Sequence, residues 1–180
     1  LNAAAAVAAV TLTGNAGADI LTGSATKAST IDGGAGGDTI TGGAAADVID
    51  GGAGTDTFVF SSANVVEQAG SSTTTGVVVN LGTTALTGTA VNTASSAFVS
   101  QGTSVASNTA TYLFNGDNST NASIVDTLTG IENVTGSNLA DYIVGSATAN
   151  TITGGAGNDV LTGGAGADTF VFSASNGSDT

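Results

Sequence analysis

The sequence predicts an all-β fold: two parallel β-roll (β-solenoid) arrays joined by a β-rich spacer. Three features predict it. A nine-residue unit is written in tandem near each end of the chain, each copy carries one large apolar residue at a fixed place, and small residues, 28 of them glycine, fill much of the rest. The first array reads GGAGGDTIT (33–41), GGAAADVID (42–50) and GGAGTDTFV (51–59). The second reads GSNLADYIV (136–144), GSATANTIT (145–153), GGAGNDVLT (154–162) and GGAGADTFV (163–171).

The first half of each unit is small and Gly-rich, so the backbone can take positive φ and turn tightly. The second half places a large side chain at position eight (Ile40, Ile49, Phe58, Ile143, Ile152, Leu161 and Phe170) between Thr, Val or Asp in strand-like alternation. So short a strand cannot bury its one apolar side chain alone. Such units must stack on their neighbours and share a thin continuous core, which is the logic of a solenoid.

Position six is acidic in most copies: Asp38, Asp47, Asp56, Asp141, Asp159 and Asp168, with Asn150 in one. An earlier unit, GNAGADILT (14–22), supplies Asp19. With two units per turn, residues eighteen apart lie above one another, so Asp38 stacks on Asp56, Asp141 on Asp159 and Asn150 on Asp168. Carboxylates stacked at the strand spacing of roughly 4.8 Å repel one another unless a cation lies between them. Carboxylates and loop carbonyls offer only oxygen on a flexible loop, a donor set that suits Ca²⁺ better than Mg²⁺.

GGAGGDTIT, GGAGNDVLT and GGAGADTFV resemble the glycine- and aspartate-rich nonapeptide of RTX proteins. The resemblance implies several calcium ions bound between successive turns of a β-roll by Asp19, Asp38, Asp47, Asp56, Asp141, Asn150, Asp159 and Asp168. It also implies export by type I secretion to the bacterial surface or medium. Two departures stand out: Ala45 and Ala46 replace the fourth and fifth residues of one unit, and Asn150 lacks a charge.

Taken in order, Leu1 to Thr13 is Ala-rich and then β-like. Val10 and Leu12 suit a strand under the first array, with a short helix as the alternative for the Ala run. GSATKASTID (23–32) is ten residues long and has Lys27 or Ala28 where the aspartate belongs. Both arrays end in TFVF, and Phe58 and Phe60, like Phe170 and Phe172, read as plugs over the end of a core. Between them the nine-residue beat is lost. GVVVNLG (76–82), AFVS (97–100) and TYLFNG (111–116) look like ordinary strands, and Ile124, Leu128, Ile131 and Val134 suit a lead-in turn. Asp117, Asp126 and Glu132 read as solvated turn residues, with an irregular calcium site as the alternative. The implied division is a first roll over 1–64, a spacer over 65–122, and a lead-in turn with the second roll over 123–180.

Composition narrows the function. One basic residue against fourteen acidic ones gives a net charge of −13, which repels nucleic acid and anionic membranes and attracts divalent cations. Folding and cation binding are then expected to be one equilibrium. Without His or Cys, the Ser/His/Asp, Cys/His and zinc-based schemes have no residues to run on, so the chain is expected not to be an enzyme. No run of the sequence is apolar over a membrane-spanning length. Three classes remain: a calcium-dependent, self-assembling surface protein of the S-layer or matrix type, whose contacts include its own copies and cell-surface polysaccharide; a folding module of a secreted enzyme or toxin; and an adhesin or ice-binding solenoid with a Thr-rich face.

Overall fold

In a computed structural model the nonapeptides form one parallel β-solenoid of two facing sheets. The structure describes residues 1–60, 75–86, 105–114, 122–173 and 177–180. Each turn contributes one strand to each sheet. In the first three turns these pairs are β1 (Val10–Thr13) with β2 (Ile20–Thr22), β3 (Ser29–Asp32) with β5 (Thr39–Thr41), and β6 (Val48–Asp50) with β8 (Thr57–Val59). In the last three they are β11 (Ala122–Thr129) with β12 (Asn133–Thr135), β13 (Ala140–Val144) with β14 (Thr151–Thr153), and β15 (Val160–Thr162) with β16 (Thr169–Val171). Two loops of the first array also pair, as β4 (Ala35–Gly36) on β7 (Ala53–Gly54).

The six-stranded sheet runs without a break in the order β2-β5-β8-β12-β14-β16, wholly parallel. The turn built from 122–135 therefore stacks directly on the last turn of the first array, with Val134 opposite Phe58 on one side and Ile152 on the other. Both arrays and the lead-in turn form one column. Position eight supplies its core: Leu21, Ile31, Ile40, Ile49, Phe58, Leu128, Val134, Ile143 and Ile152 are buried in one continuous cluster. Burying side chains of this size stabilises by about 1.5–3 kcal/mol each, and each is useful only because the next turn covers it.

The eight-stranded sheet differs. Between β11 and β13 it takes in β9 (Thr75–Asn80) and β10 (Thr109–Phe114), with β10 antiparallel to both β9 and β11. These are the expected strands around GVVVNLG and TYLFNG. At the usual strand spacing the pair adds roughly 10 Å of width that the six-stranded sheet lacks at that level. Val77 and Val79 point into the main core, while Val78 packs outside with Val105, Leu86 and Tyr142. The buried amide of Asn80 ties this outer cluster down, donating to the carbonyls of Thr84, Val105 and Ala106.

One expectation fails. Phe58 and Phe60 do not plug an end. They are 1% and 5% exposed, packed edge to face at 5.1 Å between ring centres, because β12 continues the sheet beyond them. Phe170 and Phe172 lie on the last turn and are 38% and 60% exposed. At the other end residues 1–8 are not helical. Asn2 bridges Thr22, and backbone bonds join Ala3 to Thr22 and Ala25 to Ala4, so the Ala run lies across the first turn. The expected strand AFVS and Asp117 fall outside the described residues.

Candidate metal centres in two aspartate ladders

Position six lies just before each strand, at the corner where a Gly-rich loop becomes sheet. Stacking the turns aligns these corners into two ladders with one hydrogen bond per rung. In the ladder beside the six-stranded sheet, the Asp19 N–H donates to Asp38 Oδ1 (2.8 Å) and the Asp38 N–H to Asp56 Oδ1 (2.8 Å). The Asp56 N–H then donates to Glu132 Oε2 (2.9 Å), and the Asn150 N–H to Asp168 Oδ1 (3.0 Å). In the other ladder the N–H of Ser29 donates to Asp47 Oδ1, and that of Asp47 to Asp126 Oδ1 (2.9 Å). Past the inserted strands, the N–H of Val77 donates to Asp141 Oδ1 (2.7 Å), that of Asp141 to Asp159 Oδ1 (2.9 Å) and that of Asp159 to Asp179 Oδ1 (3.0 Å).

The stacked pairs read from the period are all present. Three acids were not placed in the ladders by the sequence: Asp126, Glu132 and Asp179. Asp126 is buried, so it is not a solvated turn residue. Glu132 had a legible signal, since it stands nine residues before Asp141 and precedes the strand NVT as Asp38 precedes TIT. Asp179 stands eleven residues after Asp168 and breaks the beat, so periodicity could not reach it.

Beyond the first turn, whose Asp19 only donates, one carboxylate oxygen of each such aspartate is thus used by the ladder. The second is not. Oδ2 of Asp19, Asp38, Asp47, Asp56 and Asp159 is buried with no hydrogen-bond partner. A buried anionic oxygen without a donor is costly, and burial shows in the acidities. Loss of solvent pushes the Asp47 carboxyl up to about 6, Asp141 to about 7 and Asp126 to about 8, and raises Asp56 and Asp159 as well.

The orphaned oxygens face the glycines of their own units. A Cβ on Gly33 would stand 2.4 Å from Asp38 Oδ2 and 2.5 Å from the Gly51 carbonyl oxygen of the next turn. A Cβ on Gly51 would meet Asp56 Oδ2 at 2.8 Å and the Gly130 carbonyl at 2.1 Å. The first glycine therefore leaves room for both a carboxylate oxygen and a neighbouring carbonyl. Among the described residues no three His, Cys, Asp or Glu side chains converge, so a cation at these corners must draw on loop carbonyls beside its carboxylates. That donor set is all oxygen, and the unpaired Oδ2 atoms are what a hard divalent ion would satisfy. The residues present fit such an ion.

A solenoid of nonapeptides with acidic corners and Gly-rich loops defines a class: repeat proteins whose turns are tied through their loops. Residues 9–25, 28–58 and 135–170 match the family model of the RTX calcium-binding nonapeptide repeat, in four copies. Those segments are RTX-type nonapeptide repeats, and the column they build is a parallel β-solenoid consistent with an RTX β-roll. No individual curated protein matches the chain.

Proposed function

We propose that this chain is a calcium-binding structural module in which folding and ion uptake are a single process. The observation that carries it is the set of buried, unpaired Oδ2 oxygens on Asp19, Asp38, Asp47, Asp56 and Asp159. Bound Ca²⁺ would supply the positive charge that these corners lack and would tie each turn to the next. Without it, Oδ2 of each of these five carboxylates has no partner. A net charge of −13 adds a general repulsion that the same ions relieve. Calcium titration followed by far-UV circular dichroism tests the coupling. We expect a cooperative gain of β signal with calcium and none with the same ionic strength of NaCl; a full β spectrum in chelator would refute it.

The module is structural and not catalytic. Among the described residues lining a cavity of about 290 Å³ beside Asn80, Thr84, Leu86, Val144 and Ser146, none is titratable. We further propose that the module works outside the bacterial cell, exported by type I secretion, and assembles with its own copies into a lattice or filament of the S-layer or matrix type. Export is supported by the repeat family, and the assembly by the composition, which is rich in Ala, Gly, Thr and Ser, nearly devoid of Lys and Arg, and free of Met, Cys and Trp. Cell-surface polysaccharide is a further partner in that setting. Among the described residues no helix is long and apolar enough to cross a membrane. Negative-stain microscopy after adding millimolar calcium should show sheets or fibres; compact single particles would reject assembly.

A further inference from the structure

The loops fall into two kinds, divided by the second residue of the unit. Where that residue is Gly, or Asn15 in the earliest unit, its φ is positive: 77° at Asn15, 97° at Gly34, 155° at Gly43, 92° at Gly52, 111° at Gly155 and 98° at Gly164. These six units carry Asp19, Asp38, Asp47, Asp56, Asp159 and Asp168. Five of those six have the buried, unpaired Oδ2; the sixth, Asp168, lies on the last turn.

In the other three units the second residue is serine: Ser24, Ser137 and Ser146. None has positive φ. In each, the serine N–H reaches back to the side chain at the ladder corner. Ser24 donates to Ser29 Oγ (2.9 Å), Ser137 to Asp141 Oδ2 (2.6 Å) and Ser146 to Asn150 Oδ1 (2.8 Å). Two hydroxyls add to this, Ser137 Oγ donating to Asp141 Oδ1 (2.8 Å) and Ser146 Oγ to Asn150 Oδ1 (3.3 Å). Asp141 therefore accepts three hydrogen bonds, from Val77 N, Ser137 N and Ser137 Oγ, and neither of its oxygens is orphaned. In the loop of Gly52 the same N–H is turned elsewhere, to Asp50 Oδ1 (3.1 Å).

The fourth residue does not explain the division. GGAAADVID has Ala45 at position four, yet its Asp47 Oδ2 is unpaired like the rest. Left-handed φ is the discriminating feature, and it is open to Gly and Asn but strained for Ser. An N–H aimed at a carboxylate both occupies its lone pair and points positive charge where a cation would sit.

We infer that the residue at position two selects whether a turn binds calcium: glycine or asparagine leaves the corner aspartate open to the ion, and serine closes the loop on it with its own N–H. Calcium then goes to the corners of Asp19, Asp38, Asp47, Asp56, Asp159 and Asp168. The corners of Ser29, Asp141 and Asn150 are metal-free splices held by hydrogen bonds. One of the three, Asp141, lies in β13, the strand that pairs with the inserted β9 in the eight-stranded sheet, where the regular stacking of aspartates is interrupted.

This inference rests on the proposed calcium binding, and one calorimetric series separates the two. The full chain is titrated with CaCl₂ as wild type, Asp38→Asn, Asp141→Asn, and Ser146→Gly combined with Asn150→Asp. Asp38→Asn should bind fewer calcium ions than wild type, Asp141→Asn the same number, and the double variant more. Asp141→Asn is nearly isosteric and keeps an acceptor for Ser137. If Asp38→Asn does not fold, Asp141→Asn alone decides: a stoichiometry below wild type overturns the selection rule, as does a double variant that gains nothing. A wild-type chain that takes up no calcium overturns the calcium reading itself and this rule with it.

Discussion

The two arrays end in the same four residues, TFVF, and put them in opposite surroundings. Phe58 and Phe60 are sealed within the column, while Phe170 and Phe172 are open to solvent. Local sequence is identical, so the difference comes wholly from what stacks above. Beyond Phe60, residues 122–135 return to lay another turn on the sheet after a long detour in the chain. The arrays differ again in their loops, which pair as β4 and β7 in the first array and are closed by serine in the first two units of the second. A repeat thus specifies a shape; its neighbours decide whether a given copy is core or end, and its own second residue decides whether its loop is closed by a serine N–H.

Calcium removal should separate the arrays most. With chelator, we expect hydrogen exchange to lose protection first through Asp19–Asp56, where every described corner but that of Ser29 has an unpaired oxygen. The Ser137 and Ser146 amides, bonded within their own loops, should hold longer; equal loss throughout would erase the distinction between the loop kinds. Next in size is the phenylalanine pair. Phe58→Ala should cost about 3–5 kcal/mol in denaturant unfolding with calcium present. Phe170→Ala, already partly solvated, should cost about 1–2 kcal/mol. Equal costs would mean that Phe170 is covered in solution, as self-assembly would require.

Acidity offers a third test. Burial raises Asp47 to about 6, Asp141 to about 7 and Asp126 to about 8 from the ordinary 3.8, so the calcium-free column binds more protons than the unfolded chain between those values. Folding without calcium should therefore be favoured only at the acid end of that window, where protons neutralise these groups, and be lost as pH rises from about 4 through about 8. Of these three groups only Asp47 is a calcium corner, so the stability added by calcium should grow as pH rises from about 4 through about 6. A calcium-free stability that rises with pH would contradict the burial of these groups. The smallest effect separates two loop glycines. An added Cβ meets nothing within 4 Å at Gly17 but the Gly36 carbonyl at 1.6 Å at Gly54. Gly17→Ala should cost only the strain of positive φ, about 1–2 kcal/mol, and Gly54→Ala clearly more.

Much of this was legible in the sequence because the period is short and each copy repeats the same physical demand. Position eight gave the core, and the eighteen-residue offset gave the ladder partners. The order of turns was not legible. TFVF looks like an end because nothing in the next sixty residues keeps the beat, and only pairing across that gap shows β12 lying on β8. Asp126 was hard to place for the same reason, since its partner Asp47 lies 79 residues away. The serine at position two is visible in the sequence, but its effect depends on a φ angle and an N–H direction that composition does not express.

The most direct test of the central claim is the anomalous difference map of the chain crystallised with calcium, collected at long wavelength. The account predicts peaks in the glycine loops beside Oδ2 of Asp38, Asp47, Asp56 and Asp159. Loops without peaks, around an intact column grown in saturating calcium, would contradict it.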